Sequence, residues 1–202
     1  MALAAPSTDP AVLIAQETSD EYTFRTFTTA TAWELGNALR TRLLALPAGQ
    51  RKPALISISL ATATGNEGGS SPAHILFQSA TESGTVPDNE NWVRRKRNTV
   101  LRWGLSSWAM RMKIANGLQT TSPAAPPLAD QIEAAFVKKF SLASASGGAV
   151  ADEYAIHGGG YPVRVRGVEG IVAVVVVSGL KQEDDHAVVA ETVRDLVAAQ
   201  EK

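Results

Sequence analysis

From Ala54 to Leu60 the chain alternates without a break: Ala54, Ile56, Ile58 and Leu60 fall on one side, Leu55, Ser57 and Ser59 on the other. A period of two predicts a half-buried strand, because successive side chains leave a strand in opposite directions. Ala73–Ser79 reads as a second strand, and the stretch Thr62–Pro72, rich in Gly, Ser and Asn, makes the pair a hairpin with a long loop. Tyr161–Arg166 sets Val163 and Val165 against Arg164 and Arg166, and Gly167–Gly170 supplies a turn. Ile171–Ser178 is almost wholly apolar and β-branched, which places it at the middle of a sheet covered on both faces. Glu21–Phe27 alternates weakly and adds a short strand.

Helical spacing governs the rest. Ala32, Leu35, Gly36, Leu39, Leu43 and Leu46 recur behind Thr31 and Glu34, a capping-box pair, and end at Pro47 and Gly49. A second helix opens at Asp88, carries Trp92, Val93, Val100 and Trp103, and breaks at Gly104. The piece from Ser106 or Ser107 to Lys113 reads as helix or strand, since Trp108, Met110, Met112 and Ile114 alternate with Ala109, Arg111 and Lys113. Leu128, Ile132, Ala135 and Phe136 mark one more helix, and Glu183–Gln200 turns Val189, Val193, Leu196 and Val197 toward the sheet. Residues 1–19 read as a mobile arm ending in a short helix, and residues 20–202 as one domain. Hairpin-joined strands with helices at both ends give an α/β (α+β) chain whose antiparallel sheet packs between helices, not a doubly wound parallel fold.

Composition narrows the function classes. Nineteen Lys+Arg against 20 Asp+Glu leave a formal charge of −1 in 202 residues, which argues against nucleic acid as a partner. The chain has no cysteine, so disulfides, thiolate metal sites and a thiol nucleophile are excluded. Its longest apolar run, Ile171–Val177, is too short to span a bilayer, and no signal-peptide order precedes it. A soluble cytoplasmic protein without membrane contact is expected.

Three segments carry candidate chemistry. His157-Gly158-Gly159-Gly160 looks like the oxyanion loop of lipases, but no G-x-S-x-G exists and Gly104-Leu105-Ser106-Ser107-Trp108 lacks the last glycine, so serine-hydrolase chemistry is not expected. The glycines permit a tight turn, or backbone amides turned to a ligand. At Ser178–His186, three acids complement the start of the last helix, and His186 leans toward the sheet with Val189 and Val193. It is a core histidine or, if it converges with His157 beside Lys181 and Asp184, part of an acid/base site. The histidines at 74, 157 and 186 lack metal-ligand spacing, so no metal site is expected. The run Arg94-Arg95-Lys96-Arg97, with Arg102, wraps a helix bearing Trp92 and Trp103. At least one of these cations must approach the apolar side, to meet a carboxylate from elsewhere or from a ligand. Arg94, Arg97 and Trp103, with Gly158, Gly159 and Gly160, are the ligand-binding candidates.

Taken together, Trp92–Asn98 with Arg102-Trp103-Gly104 and Ser106-Ser107, Tyr154–Gly159, and Ser178–His186 resemble the HbpS/GlcG-like haem-degrading domain family, in order and spacing, over about Thr23 to Val197. The resemblance implies a profilin-like fold, with a five-stranded antiparallel sheet between helices in three layers, and homo-oligomers built from dimers. It also makes haem the candidate cofactor, without mapping an axial ligand onto any numbered residue. Where the family branch reads Gly-His-Ser-Ser this chain has Gly104-Leu105-Ser106-Ser107, and the stretches Ala61–Gly69 and Leu118–Pro127 are longer than usual. The leading expectation is a homo-oligomeric domain that binds a small planar or anionic ligand. An alternative is a cofactor-independent acid/base enzyme acting on a small carbonyl or amine metabolite; another is an interaction or scaffold protein with a contact surface at Trp108, Met110 and Met112.

Overall fold

The computed structural model describes residues 2–61, 73–121, 126–142 and 150–201. Residues 62–69 of the first longer-than-usual loop, residues 122–125 of the second, and most of the small-residue stretch at 141–149 lie outside them. Six helices are described: α1 (Pro10–Glu17), α2 (Thr29–Leu44), α3 (Pro87–Trp103), α4 (Ser107–Thr121), α5 (Ala129–Lys139) and α6 (Gln182–Gln200). Five strands, β1 (Thr23–Phe24), β2 (Leu55–Leu60), β3 (Ile75–Ala80), β4 (Gly160–Val165) and β5 (Ala173–Ser178), form one sheet in the order β1-β4-β5-β2-β3. All pairs are antiparallel except β1 with β4, which is parallel, so the expected antiparallel sheet is mixed at one edge. β1 is the remnant of the strand expected over Glu21–Phe27, shortened because Asp20–Tyr22 coils into a 3-10 turn.

Every residue of β5 is buried, as its β-branched run requires. Ile56 and Ile58 of β2 and Val175 and Val177 of β5 face α2 and α6, together with Leu35, Leu39, Val189 and Val193. Val174, Val176 and Leu55 face the other way, onto Val93 and Val100 of α3. The result is three layers, and α2 lies so close to β3 that a Cβ on Gly36 would stand about 2.5 Å from the Phe77 ring. The cap of α2 sits one turn earlier than expected: Thr28 and Thr31 exchange side-chain and backbone bonds of 3.3 and 3.2 Å, and Glu34 takes no part.

α4 is a helix throughout its described length, and the reason its sequence also reads as a strand is physical. Met110 and Ile114 pack on Ile132 and Phe136 of α5, while Trp108, Ala109 and Met112 pack on Leu13 of α1. A helix covered on two sides loses the one-sided stripe that betrays a period of 3.6. This corrects the interaction reading, since Trp108, Met110 and Met112 are core and offer no outer contact surface.

Within residues 2–19 the expected short helix is α1, and several contacts tie this segment to the rest of the domain. Trp108 Nε1 donates to Ser7 O at 3.0 Å, and the buried Glu17 carboxylate accepts from the Ser106 amide at 3.1 and 3.2 Å, at the start of α4. Burial pushes the Glu17 carboxyl up to about 7, against the lowering pull of Ser106 and Arg164. A carboxyl raised in the folded state contributes its full stability below its ordinary value of 4.5 and loses it as pH climbs through about 7. Denaturation curves from pH 5 to 8 are therefore expected to show a decline of roughly 3 kcal/mol that Glu17→Gln removes. A slope identical in the variant would assign the decline to other groups.

Candidate functional site

α3 is fixed over the sheet by a chain of local choices. Pro87 occupies its first turn, Asn89 Oδ1 accepts from Val86 N at 2.7 Å to cap it, and Gly104 ends it in the left-handed region at φ 65°. Asn89 Nδ2 also donates to Ser178 O at 3.2 Å, tying the helix start to the end of β5. Val93, Lys96, Val100 and Arg97 then recur on the buried side of the helix. Lys96 is the cation that reaches the interior. Its Nζ donates to Asp185 Oδ2 at 3.0 Å and to Val177 O at 3.1 Å, and both side chains of the pair are under 5% exposed. Asp185 also accepts from the amides of Gly179 at 3.3 Å and Leu180 at 3.0 Å, so both its oxygens are engaged. Burial pushes its carboxyl up, opposed by Lys96 and those two amides.

The glycine loop makes this junction possible. A Cβ on Gly158 would enter the Gln182 carbonyl, and one on Gly159 would enter the Val177 carbonyl and approach Lys96 Nζ and the Asp185 Cβ to 3.0 Å. Gly159 adopts φ 114°, a conformation side chains rarely take, and the Gly160 amide donates to Ser107 Oγ at 3.0 Å. Gly158, Gly159 and Gly160 are buried by close packing between β5, α3 and α6, which is the tight-turn reading of that loop.

Beside this junction opens a cleft of about 240 Å³ lined by Asn89, Trp92, Lys96, His157, Gln182 and Asp185, with residues 178–180. The Trp92 and His157 rings meet edge to face at 4.8 Å, and Arg95 stands 4.9 Å over the indole. His157 Nε2 lies 3.3 Å from Glu133 Oε1, and Arg111 Nη1 lies 3.5 Å from that same oxygen. Burial draws the His157 pKa down, opposed by Glu133 and reinforced by Arg111, Lys96 and Arg95, so the ring is neutral near pH 7. The nearby Glu133 oxygen favours a proton on Nε2, the tautomer that leaves a lone pair on Nδ1. Two buried polar atoms in the cleft wall have no partner among the described residues: His157 Nδ1 and the Gln182 side-chain oxygen.

The other expected site residues lie elsewhere. His186 is fully buried against Tyr161 and Trp108, at ring distances of 5.8 and 6.3 Å, and burial drops its pKa to about 3. Lys181 is exposed and precedes α6. Asp184 sits in the first turn of α6 outside the cleft, its carboxyl pushed up by burial and Glu183. Arg94 pairs with Glu153. Trp103 stacks with Phe136, Phe140 and Tyr154 in the α4–α5 core. Arg97 is buried under α3, away from the cleft lining. The acid/base cluster of His157, His186, Lys181 and Asp184 is thus not assembled; of these four, only His157 lines the cleft. Asp185 and Gln182 were missed by sequence reasoning. Asp185 precedes Val188 and Val189 by three and four positions, the spacing that marks it as inward-facing. Gln182 left no such signal. Among the described residues no group of three His, Asp or Glu is placed to hold a metal ion, and no helix is long and apolar enough to cross a membrane.

Residues 27–194 match the family described as "Haem degrading protein HbpS-like". A UPF0303 protein of Sinorhizobium medicae is 35% identical over 176 residues, covering 87% of this chain and 84% of the relative. Among solved structures, the Ybr137w protein superposes with a TM-score of 0.71 at 26% identity, covering 98% of this chain and 92% of that one. HbpS itself superposes at 0.51 with 13% identity, over 85% and 89% of the two chains, a likeness of fold.

Proposed function

Because this chain belongs to the HbpS-like family of haem degrading proteins, we propose that it is a binding protein for a small planar ligand carrying N–H or O–H donors at its edge, held in the Trp92–His157 cleft. The observation that supports this reading is the pair of unpartnered acceptors, His157 Nδ1 and the Gln182 oxygen, beside an aromatic wall. Buried polar atoms without partners are costly, and a ligand donor relieves that cost. Both atoms are shut off from water, so reaching them takes a rotamer change of these two half-buried side chains. A carboxylate ligand is less well served, because the cleft's ammonium, Lys96, is already neutralised by Asp185. Cytoplasmic residence and assembly as a homo-oligomer built from dimers belong to the same proposal.

Haem does not fit the described cleft. Its volume of about 240 Å³ falls below the roughly 300–1,000 Å³ of ordinary ligand pockets, and the imidazole in its wall is engaged by Glu133. A larger surface depression of about 440 Å³, beside Arg164 and Arg166, has no His, Met or Tyr in its lining. The family's chemistry on haem is therefore not routed through these residues.

Calorimetric titration tests the proposal, with nicotinamide as a planar amide probe and benzoate as its anionic counterpart. Nicotinamide is expected to bind more tightly than benzoate, and His157→Ala to weaken it roughly tenfold, the equivalent of one lost hydrogen bond. Equal affinities for both probes, or an unchanged His157→Ala protein, would remove the reading. The Glu133–His157 pair favours one second reading, in which a neutral His157 takes a proton from a small carbonyl or amine substrate. Turnover of such a substrate that persists undiminished in Glu133→Gln and His157→Ala would end it.

A further inference from the structure

The cations along α3 are matched one by one, with a single exception. Arg94 pairs with Glu153, Arg95 donates to Tyr154 O at 3.2 Å, Lys96 pairs with Asp185, and Arg102 stacks over Trp103 and Tyr154. Arg97 is only 8% exposed, yet its guanidinium makes no hydrogen bond or ion pair with any described residue, and Nη1 is closed to water. Its place on the helix decides what it covers. Val93 and Val100, on the same side of α3, pack on Val174 and Val176 of β5. The next strand on that face is β2, where Ser57 pairs with Val176 and Ser59 with Val174, and Gln78 of β3 stands opposite Ser57. Both serines are buried, and Ser59 Oγ also has no partner among the described residues. At the outer end of this polar seam the exposed side chains of Gln78 and Glu90 are joined by a 2.7 Å bond.

A cation and a hydroxyl left unpaired between a helix and a sheet are both unfavourable, the charge far more so. Burial draws the Arg97 pKa down, and Glu90 is the one carboxylate that opposes this. We propose that Arg97, with the hydroxyls of Ser57 and Ser59, binds a small oxyanion, a phosphate or a carboxylate, in the seam between α3 and the β2–β3 half of the sheet. The guanidinium presents a planar fork of donors that matches two oxygens of such an anion, and a serine hydroxyl supplies a further donor. Glu90 is the competing charge at the mouth of the seam. Lys96 and the Trp92–His157 cleft take no part, so this site stands or falls independently of the ligand proposed there.

Thermal unfolding in inorganic phosphate, in acetate, and in sodium chloride at matched ionic strength tests the site. The wild-type midpoint is expected to rise saturably, by roughly 5 °C, in phosphate or acetate but not in chloride; whichever anion acts identifies the source. Arg97→Met, which removes a buried unpaired charge, should start from a higher midpoint and lose the response. Glu90→Gln should bind the same anion several-fold more tightly. Arg97→Lys keeps the charge without the fork and should weaken binding about tenfold, which preserves the test if the methionine variant does not fold. An Arg97→Met protein that responds as the wild type does, or a wild type indifferent to which anion is present, would overturn the proposal.

Discussion

Gly159→Ala is expected to yield little folded protein. The added methyl would enter the carbonyl of Val177 in the fully buried strand β5 and press on Lys96 Nζ and the Asp185 Cβ at 3.0 Å. None of these can retreat cheaply: the carbonyl belongs to the sheet, and the two side chains hold each other. The backbone at φ 114° adds strain for any side chain, so packing and conformation act in the same direction. A loss above roughly 4 kcal/mol, the exceptional range for a point mutation, follows. Gly117→Ala, in α4, is the internal control, since an added Cβ there meets none of the described residues within 4 Å and should stabilise by about 0.5–1 kcal/mol. Soluble yield and chemical denaturation of the two variants decide the matter; comparable stability would mean that the loop around Gly159 can relax.

The Lys96–Asp185 pair should show the asymmetry of buried charges. Asp185→Asn strands an ammonium in the interior with neutral acceptors and no countercharge, and a loss of roughly 3–5 kcal/mol is expected. Lys96→Met leaves a carboxyl that keeps its two amide donors and can escape its charge by protonation. A carboxyl raised in the folded state stabilises fully in acid and loses that contribution as pH rises, so Lys96→Met should be nearest to wild type at low pH. The double variant should lie above Asp185→Asn in stability, because it removes the stranded charge. Denaturation midpoints that add up across the two single changes would show that the pair is not coupled.

The sheet was legible because its strands carry the period of two or, in β5, a run of valines that has no other use. α4 was ambiguous because neighbours cover it on two sides, which hides the helical stripe. The site was half legible. That one cation of the Arg94–Arg97 run must meet a carboxylate follows from its wrapping an apolar helix, but the identity of the pair turns on single residues. Asp184 and Asp185 are neighbours about 100° apart on one helix, and only the second points inward. Glu133 and Gln182 come from α5 and the first turn of α6, brought beside His157 by tertiary packing that no local pattern encodes. Trp103, by contrast, packs with Tyr154 against the α4–α5 core while the exposed Arg102 lies over both rings, which a basic aromatic helix does not distinguish from a ligand platform.

The strand order has a consequence in time. β5 is the middle strand of the sheet and the last one along the chain. While the polypeptide is being made, the β2–β3 hairpin therefore waits, with one edge of β2 unpaired, until residues 173–178 leave the ribosome and insert between β2 and β4. Stepwise folding from the amino terminus is closed to such a topology, and closure of the sheet becomes one late event with long-range partners. Nascent chains stalled before residue 173 should remain sensitive to protease, and slow translation of the last third would prolong the interval in which the hairpin edge is open to aggregation.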